Sequence, residues 1–332
     1  MPIATFPHAG PDPEKGAPDD VAAHDVATDE RAGDSDAAEY ERIVVVTVAY
    51  ASGLVLPALA RDLAAQSSRP EAWLVVDNSP ESAPLQSDEL MGAASELRIR
   101  LLRGREGDGF AAGCNRALDA LAAEHWDGWV WLLNPDTGLP RGDELASLRD
   151  QLRQLPAQAL VGTAIADGEG GYESSGGWFS PGLAFRSRRL AASATLADGA
   201  AGPLPLDWLS GCSLALRPAA QPIAARFDER FPLYYEDMDL CLRLARQGAP
   251  VLWLRQPVIV HRKGTGSEAP GPRRLQLSSL SYLRFLRRHS AGWVVALRGL
   301  RLLLLSLLRL PLRPKNSLAV LGAILTVLRE PA

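Results

Sequence analysis

Four short apolar runs, Ile43–Val48, Trp73–Val76, Ile99–Leu102 and Val130–Leu133, alternate with segments at 54–66, 84–96 and 112–124 whose composition suits helices. Continuous runs of this length predict strands buried on both faces, and the helical segments between them predict crossover connections. The alternation therefore predicts an α/β protein built on a doubly wound parallel sheet. Further along, Val251–Leu254 and Pro257–Val260 are again apolar. The stretch between is less regular. Gly176–Gly182 and Pro205–Ser213 look like loops with aromatic walls, and Trp178 and Trp208 are suited either to stacking on a ligand ring or to the core. Residues 186–204, rich in Ala, Arg and Gly, suit a mobile flap.

The segment Phe227–Gly248 carries the densest chemistry. Glu236, Asp237 and Asp239 open a run in which Leu240, Leu242, Leu244 and Ala245 are apolar, Arg243 and Arg246 polar, and Gly248 a natural stop. Acids in a helix's first turn are favoured by the macrodipole in any protein. Capping accounts less well for a paired acid directly behind the aromatic step Tyr234–Tyr235, where a low dielectric makes a carboxylate's pKa movable.

Two other segments frame it. Trp129–Leu133 reads as a buried strand that stops at Asn134-Pro135-Asp136, and ligands of open α/β sheets bind at such strand ends. Asp136 with Asn134 beside it is oxygen ligation suited to Mg²⁺ or Mn²⁺, shared with substrate phosphates; an ordinary β-turn is the alternative. His261 ends the last apolar run, followed by Arg262, Lys263 and the loop Gly264–Ser267, which has the make-up to fold over a diphosphate. Gly107, Gly109 and Gly113 miss the G-x-G-x-x-G spacing, because the third position is Ala112, and they belong to the third unit of the alternation. A nicotinamide dehydrogenase is thereby disfavoured. Glycines there let backbone approach a ligand, and Asn115 is placed to open or brace the next helix.

The ends of the chain differ in charge. Residues 1–40 hold ten acids against Lys15 and Arg31, with no apolar period, and read as a disordered solvating tail rather than a secretory signal. Residues 271–332 hold eleven Lys or Arg against Glu330. Leu280–His289 and Trp293–Arg309 have helical character, and Arg298, Arg301 and Arg309 break each apolar run before it is long enough to span a bilayer. A basic, Leu-rich helix of this kind suits the surface of an anionic membrane, a partner subunit in a homodimer, or packing on the catalytic domain. Nucleic acid is disfavoured, since no base-stacking aromatics are interleaved. Three well-separated cysteines, Cys114, Cys212 and Cys241, argue against a disulfide framework or a structural zinc site and suit packing. The division expected is a tail at 1–40, a catalytic domain at 41–270 and a basic helical extension at 271–332, in a cytoplasmic protein peripheral to the plasma membrane's inner face or free of it.

On these residues the chain resembles the family 2 glycosyltransferases, inverting nucleotide-sugar enzymes of GT-A fold, and among them the bacterial rhamnosyltransferases. Five segments in family order carry the likeness: Ile43–Tyr50, Leu74–Asn78, Gly107–Asn115, Leu132–Asp136, and Tyr235–Asp239 with His261. The resemblance implies a Rossmann-like mixed sheet flanked by helices. It implies nucleotide contacts from Thr47, Tyr50, Asp77, Gly109, Phe110 and Asn115, and a divalent metal, Mg²⁺ or Mn²⁺, on Asp136 and His261. Asn134, Trp208, Gly211 and Arg243 fall beside donor sugar and acceptor. Two positions depart from the pattern: Ala51 and Gly107 stand where the family often has Asn.

The chemistry implied is one displacement. Asp237 takes the proton of an acceptor hydroxyl, Glu236 and Asp239 tune that acid or orient the helix, and Arg243, one turn after Asp239, holds it ionised. The donor implied is a nucleotide-diphosphate sugar and the acceptor a cell-envelope glycan or lipid-linked intermediate. The alternative is a nucleotide-sugar-binding scaffold that has lost turnover. A processive synthase is disfavoured, because membrane spans and a Gln-x-x-Arg-Trp motif are missing from the sequence.

Overall fold

The protein is described here by a computed structural model covering residues 42–82, 85, 87–105, 107–169, 171–180, 186–191, 202–262 and 271–331. The acidic tail, the 263–270 loop and most of the 186–204 flap lie outside the described residues.

The predicted alternation is present. Strands β1 (Ile43–Ala49), β2 (Ala72–Asp77), β3 (Ile99–Arg103) and β4 (Trp129–Leu133) alternate with helices α1 (Leu56–Ala64), α2 (Ser87–Ala93) and α3 (Phe110–Ala123). The chain continues through β5 (Thr137–Gly138), α4 (Glu144–Leu152), β6 (Leu160–Ala166), β7 (Tyr172–Glu173), β8 (Gly176–Ser180), β9 (Arg186–Arg189), β10 (Leu204–Pro205), β11 (Trp208–Leu209) and β12 (Ser213–Leu216). It ends in α5 (Glu236–Ala245), β13 (Val251–His261), α6 (Pro272–His289), α7 (Gly292–Arg309) and α8 (Pro314–Arg329).

The main sheet has the order β10-β13-β6-β12-β4-β1-β2-β3. Strands β4, β1, β2 and β3 are mutually parallel, while β12 runs antiparallel between β4 and β6. The sheet is thus mixed, as the resemblance implied, rather than purely parallel. Every residue of β1, β2 and β4 is buried, so their sequences carry no polar alternation. Val44, Val46, Val48, Leu74 and Val76 pack on one face with Cys114, Ala117 and Leu121 of α3. Ile43, Val45, Trp73 and Val75 pack on the other with α1 and α4. Each such side chain contributes about 1.5–3 kcal/mol.

Within the supposed aromatic loops, Gly176–Ser180 and Trp208–Leu209 are strands of a second, antiparallel sheet, β11-β8-β9. Gly176 and Gly177 permit the pairing. A Cβ on Gly177 would lie 2.1 Å from the Arg188 carbonyl oxygen, and one on Gly176 2.7 Å from that of Trp208.

Helix α6 is fastened to the catalytic body. Phe285 lies 5.6 Å from Phe179, 5.2 Å from Tyr235 and 4.7 Å from His289, centroid to centroid. His289 Nε2–H donates to Asp239 Oδ1 at 2.8 Å, and Arg243 Nε donates to the other oxygen at 2.7 Å. Arg288 lies 3.2 Å from Asp239 and also pairs with Asp228. Burial works against the Asp239 charge, but the bonds from His289 and Arg243 and the charges of Arg243 and Arg288 hold its carboxyl below the usual range. Burial also keeps His289 below its ordinary value, outweighing the pull of Asp239. Helices α7 and α8 complete a small core with α6 through Leu283, Val320, Ile324 and Val327.

Both groups in this joint have folded pKa values below their unfolded ones. Their stabilisation is present above the unfolded values and is lost as pH falls. His289 acts first, below about 6.5, and Asp239 only below about 3.8. Urea unfolding of wild type and His289→Gln between about pH 7.5 and 5.5 checks this, the difference isolating His289 from other titrating groups. Wild type loses more stability than the variant over that range; equal losses contradict the account.

Candidate active site

The strand order reverses between β1 and β4, and the site is assembled at the C-terminal ends of β1, β2 and β4. Past β1, Tyr50 is 62 % exposed, its ring open to a ligand. Ala51 N–H donates to Ser79 Oγ at 3.0 Å, joining the ends of β1 and β2. Ala51 and Gly107, the two departures from the family pattern, have φ of 51° and 89°. That is the left-handed region in which Asn is enriched, so this chain keeps the turn shapes that Asn would serve.

At the end of β2, Asp77 accepts from Ser79 N at 2.9 Å, Leu85 N at 3.2 Å and Arg103 Nη1 at 2.6 Å. Burial would raise its carboxyl, but these bonds and the Arg103 charge hold it low, and so ionised. Asn78, next in sequence and 1 % exposed, donates to the carbonyls of Asp108 and Gly109, both at 3.2 Å. It thereby ties the glycine-rich turn to the sheet. Gly109 precedes α3, and a Cβ there would lie 3.0 Å from the Pro232 carbonyl oxygen. Phe110 meets Phe227 edge to face at 5.8 Å. Asn115 is buried, bridging α3 to the Phe227 backbone in both directions at 2.9 Å and to Glu229 at 2.7 Å. It braces the approach to α5.

The Asn134–Asp136 turn follows β4. Asn134 N–H donates to the Cys212 carbonyl at 3.2 Å, and the Asn134 carbonyl accepts from Thr137 Oγ1 at 2.7 Å. Asp136 Oδ2 lies 3.2 Å from His261 Nε2, at the end of β13, and Arg262 N–H donates to the Asp136 carbonyl at 2.8 Å. Glu173 of β7 lies 3.2 Å from the other ring nitrogen, Nδ1. The hydrogen bond to Asp136 raises the His261 pKa, burial opposes it, and Glu173 adds to it. A ring held between two carboxylates keeps a proton where a cation would sit. Glu173 on Nδ1 fixes the tautomer that leaves Nε2 free to ligate. Among the described residues no group of three or more His, Cys, Asp or Glu converges as a metal cage. Asp136 and His261, 3.2 Å apart, are an oxygen and a nitrogen donor of the kind that would hold a divalent ion.

Helix α5 is entered through two consecutive left-handed residues, Tyr234 (φ 64°) and Tyr235 (φ 69°). Such conformations cost about 1–3 kcal/mol each and persist only where surroundings impose them. Tyr235 lies against Tyr282 at 5.8 Å and Phe285 at 5.2 Å, and Arg274 Nε donates to the Tyr234 hydroxyl at 3.1 Å. The acids follow. Asp237 Oδ2 accepts from Gly211 N at 2.9 Å and Oδ1 from Met238 N at 2.8 Å. Glu236 is 7 % exposed, and its Oε2 has no hydrogen-bond partner. Burial, then the neighbouring Asp237, raises Glu236 to about 8. Burial also raises Asp237, opposed by the Gly211 and Met238 amides. Two adjacent buried carboxyls do not both ionise readily. The amides favour charge on Asp237, and the missing partner leaves the proton on Glu236. Gly211 is the meeting point: a Cβ there would lie 3.1 Å from the Phe110 ring and 3.5 Å from Asp237 Cβ. Cys212, the next residue, holds Asn134, so one strand of backbone joins the acid helix to the Asp136 turn.

Other sequence-derived candidates sit elsewhere. Thr47 is fully buried and its hydroxyl accepts from Trp73 Nε1 at 3.0 Å, because its side chain points into the sheet core rather than the cleft. Trp208, 5 % exposed, fills core space beside Gly177 and offers no open face to a sugar. Trp178 is half-buried under the Arg188 guanidinium at 4.9 Å. Asp239 and Arg243 form the joint with α6, so the third acid of the cluster is a fastening and not a partner of Asp237. Glu173 was not indicated by the sequence, since only the fold of β7 beside β6 and β13 brings it to His261. Asn78 had a signal in its place directly after Asp77.

Residues 44–201 match the family model described as Glycosyl transferase family 2. The N-acetylglucosaminyl-diphospho-decaprenol L-rhamnosyltransferase of Mycobacterium tuberculosis, strains CDC 1551 / Oshkosh and ATCC 25618 / H37Rv, is 28% identical over 282 residues, which cover 76% of this chain and 87% of that one. Among solved structures, GalNAc-T7 with UDP, GalNAc and Mn²⁺ matches with a TM-score of 0.53 and 12% identity, over 74% of this chain and 47% of that one. The chain thus spans about half the length of that structure, and the likeness is one of fold. A mixed sheet with its motifs gathered at one edge, the family model and the rhamnosyltransferase likeness agree: over residues 44–201 this chain carries a domain similar to glycosyl transferase family 2.

Proposed function

We propose that the protein moves one sugar from a nucleotide-diphosphate donor to a hydroxyl of a lipid-linked cell-envelope acceptor, inverting the anomeric carbon and using a divalent metal. The observation that carries this reading is the Asp237 carboxylate, fixed by the Gly211 amide on the same backbone segment that holds the Asp136 turn. The M. tuberculosis relatives are named for L-rhamnose transfer to a diphospho-decaprenol lipid, which makes a deoxyhexose donor and a polyprenyl-diphosphate acceptor the first choices.

Each residue has a task in this reading. Tyr50 and Asp77, at the ends of β1 and β2, face the nucleoside. The amide groups of the turn before α3 receive negative charge at a helix N-terminus. Asp136 and His261 would hold the Mg²⁺ or Mn²⁺, which when bound would supply Lewis-acid stabilisation of diphosphate charge. Asp237 accepts the acceptor's hydroxyl proton as that oxygen bonds to the anomeric carbon and the carbon–oxygen bond to the diphosphate breaks. Glu236, protonated near neutrality, keeps a second negative charge away from Asp237. One base and one displacement give inversion. The scaffold alternative finds no support in Ala51 and Gly107, since both keep left-handed turns.

Donor binding by calorimetry and turnover separate the roles. Asp136→Ala is expected to lose metal-dependent donor binding, whereas Asp237→Asn keeps it and loses turnover about 10²- to 10⁴-fold. A folded Asp237→Asn with full turnover removes the proposal. Proton NMR of the product reads the second consequence: the new bond has the anomeric configuration opposite to the donor's. Retention would require a covalent sugar–enzyme intermediate and would contradict the single displacement.

A further inference from the structure

Among the described residues no helix is long and apolar enough to cross a membrane. Helix α7 nevertheless turns a large apolar face outward. Trp293, Leu297, Leu300, Leu304, Leu307 and Leu308 are each between 48 % and 75 % exposed. At about 100° per residue these positions fall within a single arc of about 100°, a stripe about 22 Å long. The opposite face is the one used for folding: Val294 and Ser306 are buried, and Leu302 and Leu303 pack on the core of α6 and α8. The outward leucines therefore contribute nothing to that core. Isolated exposed apolar residues need no explanation, but a continuous stripe marks an interaction surface.

The charge around the stripe selects its partner. From Gly292 to Arg329 the chain carries Arg298, Arg301, Arg309, Arg313, Lys315 and Arg329 and no acid. Arg301, Arg309, Arg313, Lys315 and Arg329 are exposed. A second copy of the chain would set this cationic helix against its like, with no carboxylate on either side to pair. An anionic bilayer supplies both an apolar phase for the leucines and phosphate for the cations. Trp293, at the start of the stripe, is the residue type that favours the interface.

We propose that α7 lies in the plane of an anionic membrane, with Leu297, Leu300, Leu304 and Leu308 inserted and Arg301 and Arg309 on the headgroups. The helix begins three residues after His289, which bonds Asp239 two positions beyond Asp237. Docking therefore holds the acid helix α5 at a fixed height and orientation to the surface, where a lipid-linked hydroxyl would be presented. The surface argument stands on α7 alone; only the orienting role rests on the proposed lipid-linked acceptor.

The test is co-sedimentation of the full chain with vesicles of phosphatidylcholine alone or mixed with phosphatidylglycerol, at low and high salt, without donor or acceptor. Wild type is expected to bind the anionic vesicles and to be released by salt. Leu300→Ser/Leu304→Ser should weaken binding at least about tenfold, from the lost apolar burial. Arg301→Gln/Arg309→Gln should weaken it about thirtyfold on anionic vesicles only. Both variants should keep the wild-type melting temperature, since the altered side chains are exposed. Absence of wild-type binding, equal binding to neutral and anionic vesicles, or a leucine variant that binds like wild type overturns the proposal. A leucine-dependent dimer that ignores vesicles also overturns it, assigning the stripe to a second copy. Because no sugar is transferred in the assay, none of these outcomes bears on the glycosyl-transfer reading.

Discussion

The left-handed entry to α5 is the constraint on which the site depends. Two consecutive non-glycine residues, Tyr234 and Tyr235, hold a conformation that costs a few kcal/mol together, and nothing local relieves it. Relief comes from α6, whose Tyr282 and Phe285 pack on Tyr235 and whose Arg274 holds the Tyr234 hydroxyl. The tight turn puts Asp237 against the Gly211 amide at the edge of the sheet and sends Asp239 back toward His289. The basic C-terminal region is in this sense part of the structural frame of the candidate site. Helix α6 imposes the turn that positions the acids, and α7 presents the remaining apolar surface outward.

Within that frame, two neighbouring acids have been given different environments. Asp237 receives two backbone amides and a nearby cleft, while Glu236 is sealed in without a partner for Oε2. A third, Asp239, is neutralised by Arg243 of the same helix and Arg288 of α6, and accepts a hydrogen bond from His289 of α6. The tenfold-per-unit scale of pKa shifts means that these differences, and not the number of carboxylates, determine which acid can accept a proton at neutral pH.

Much of this was legible in the sequence because it was local. Strands buried on both faces announce themselves as apolar runs, so β1, β2 and β4 were found within a residue or two. The start of α5 was found from its acids, and the Asp136 turn from the strand that feeds it. What escaped depends on distant pairing. Gly176–Gly182 looks like a loop until the strands paired with Gly176 and Gly177 are seen beside it. Thr47 and Trp208 belong to motifs that line a cleft, yet their side chains point into the core, a matter of facing that family order does not convey. Asp239 and His289 are fifty residues apart, and Glu173 meets His261 across eighty-eight. The fold alone creates those contacts.

The central claim is that Asp237 is the working base because Glu236 holds the proton of the pair. The pH dependence of turnover, measured for wild type and Glu236→Gln at saturating donor and metal, tests it most directly. The account predicts that wild type shows an inflection near pH 8, where Glu236 ionises, and that Glu236→Gln keeps its neutral-pH activity and loses that inflection. An unchanged profile in a folded Glu236→Gln, or loss of activity at every pH, would contradict the assignment of the proton to Glu236 and of the base to Asp237.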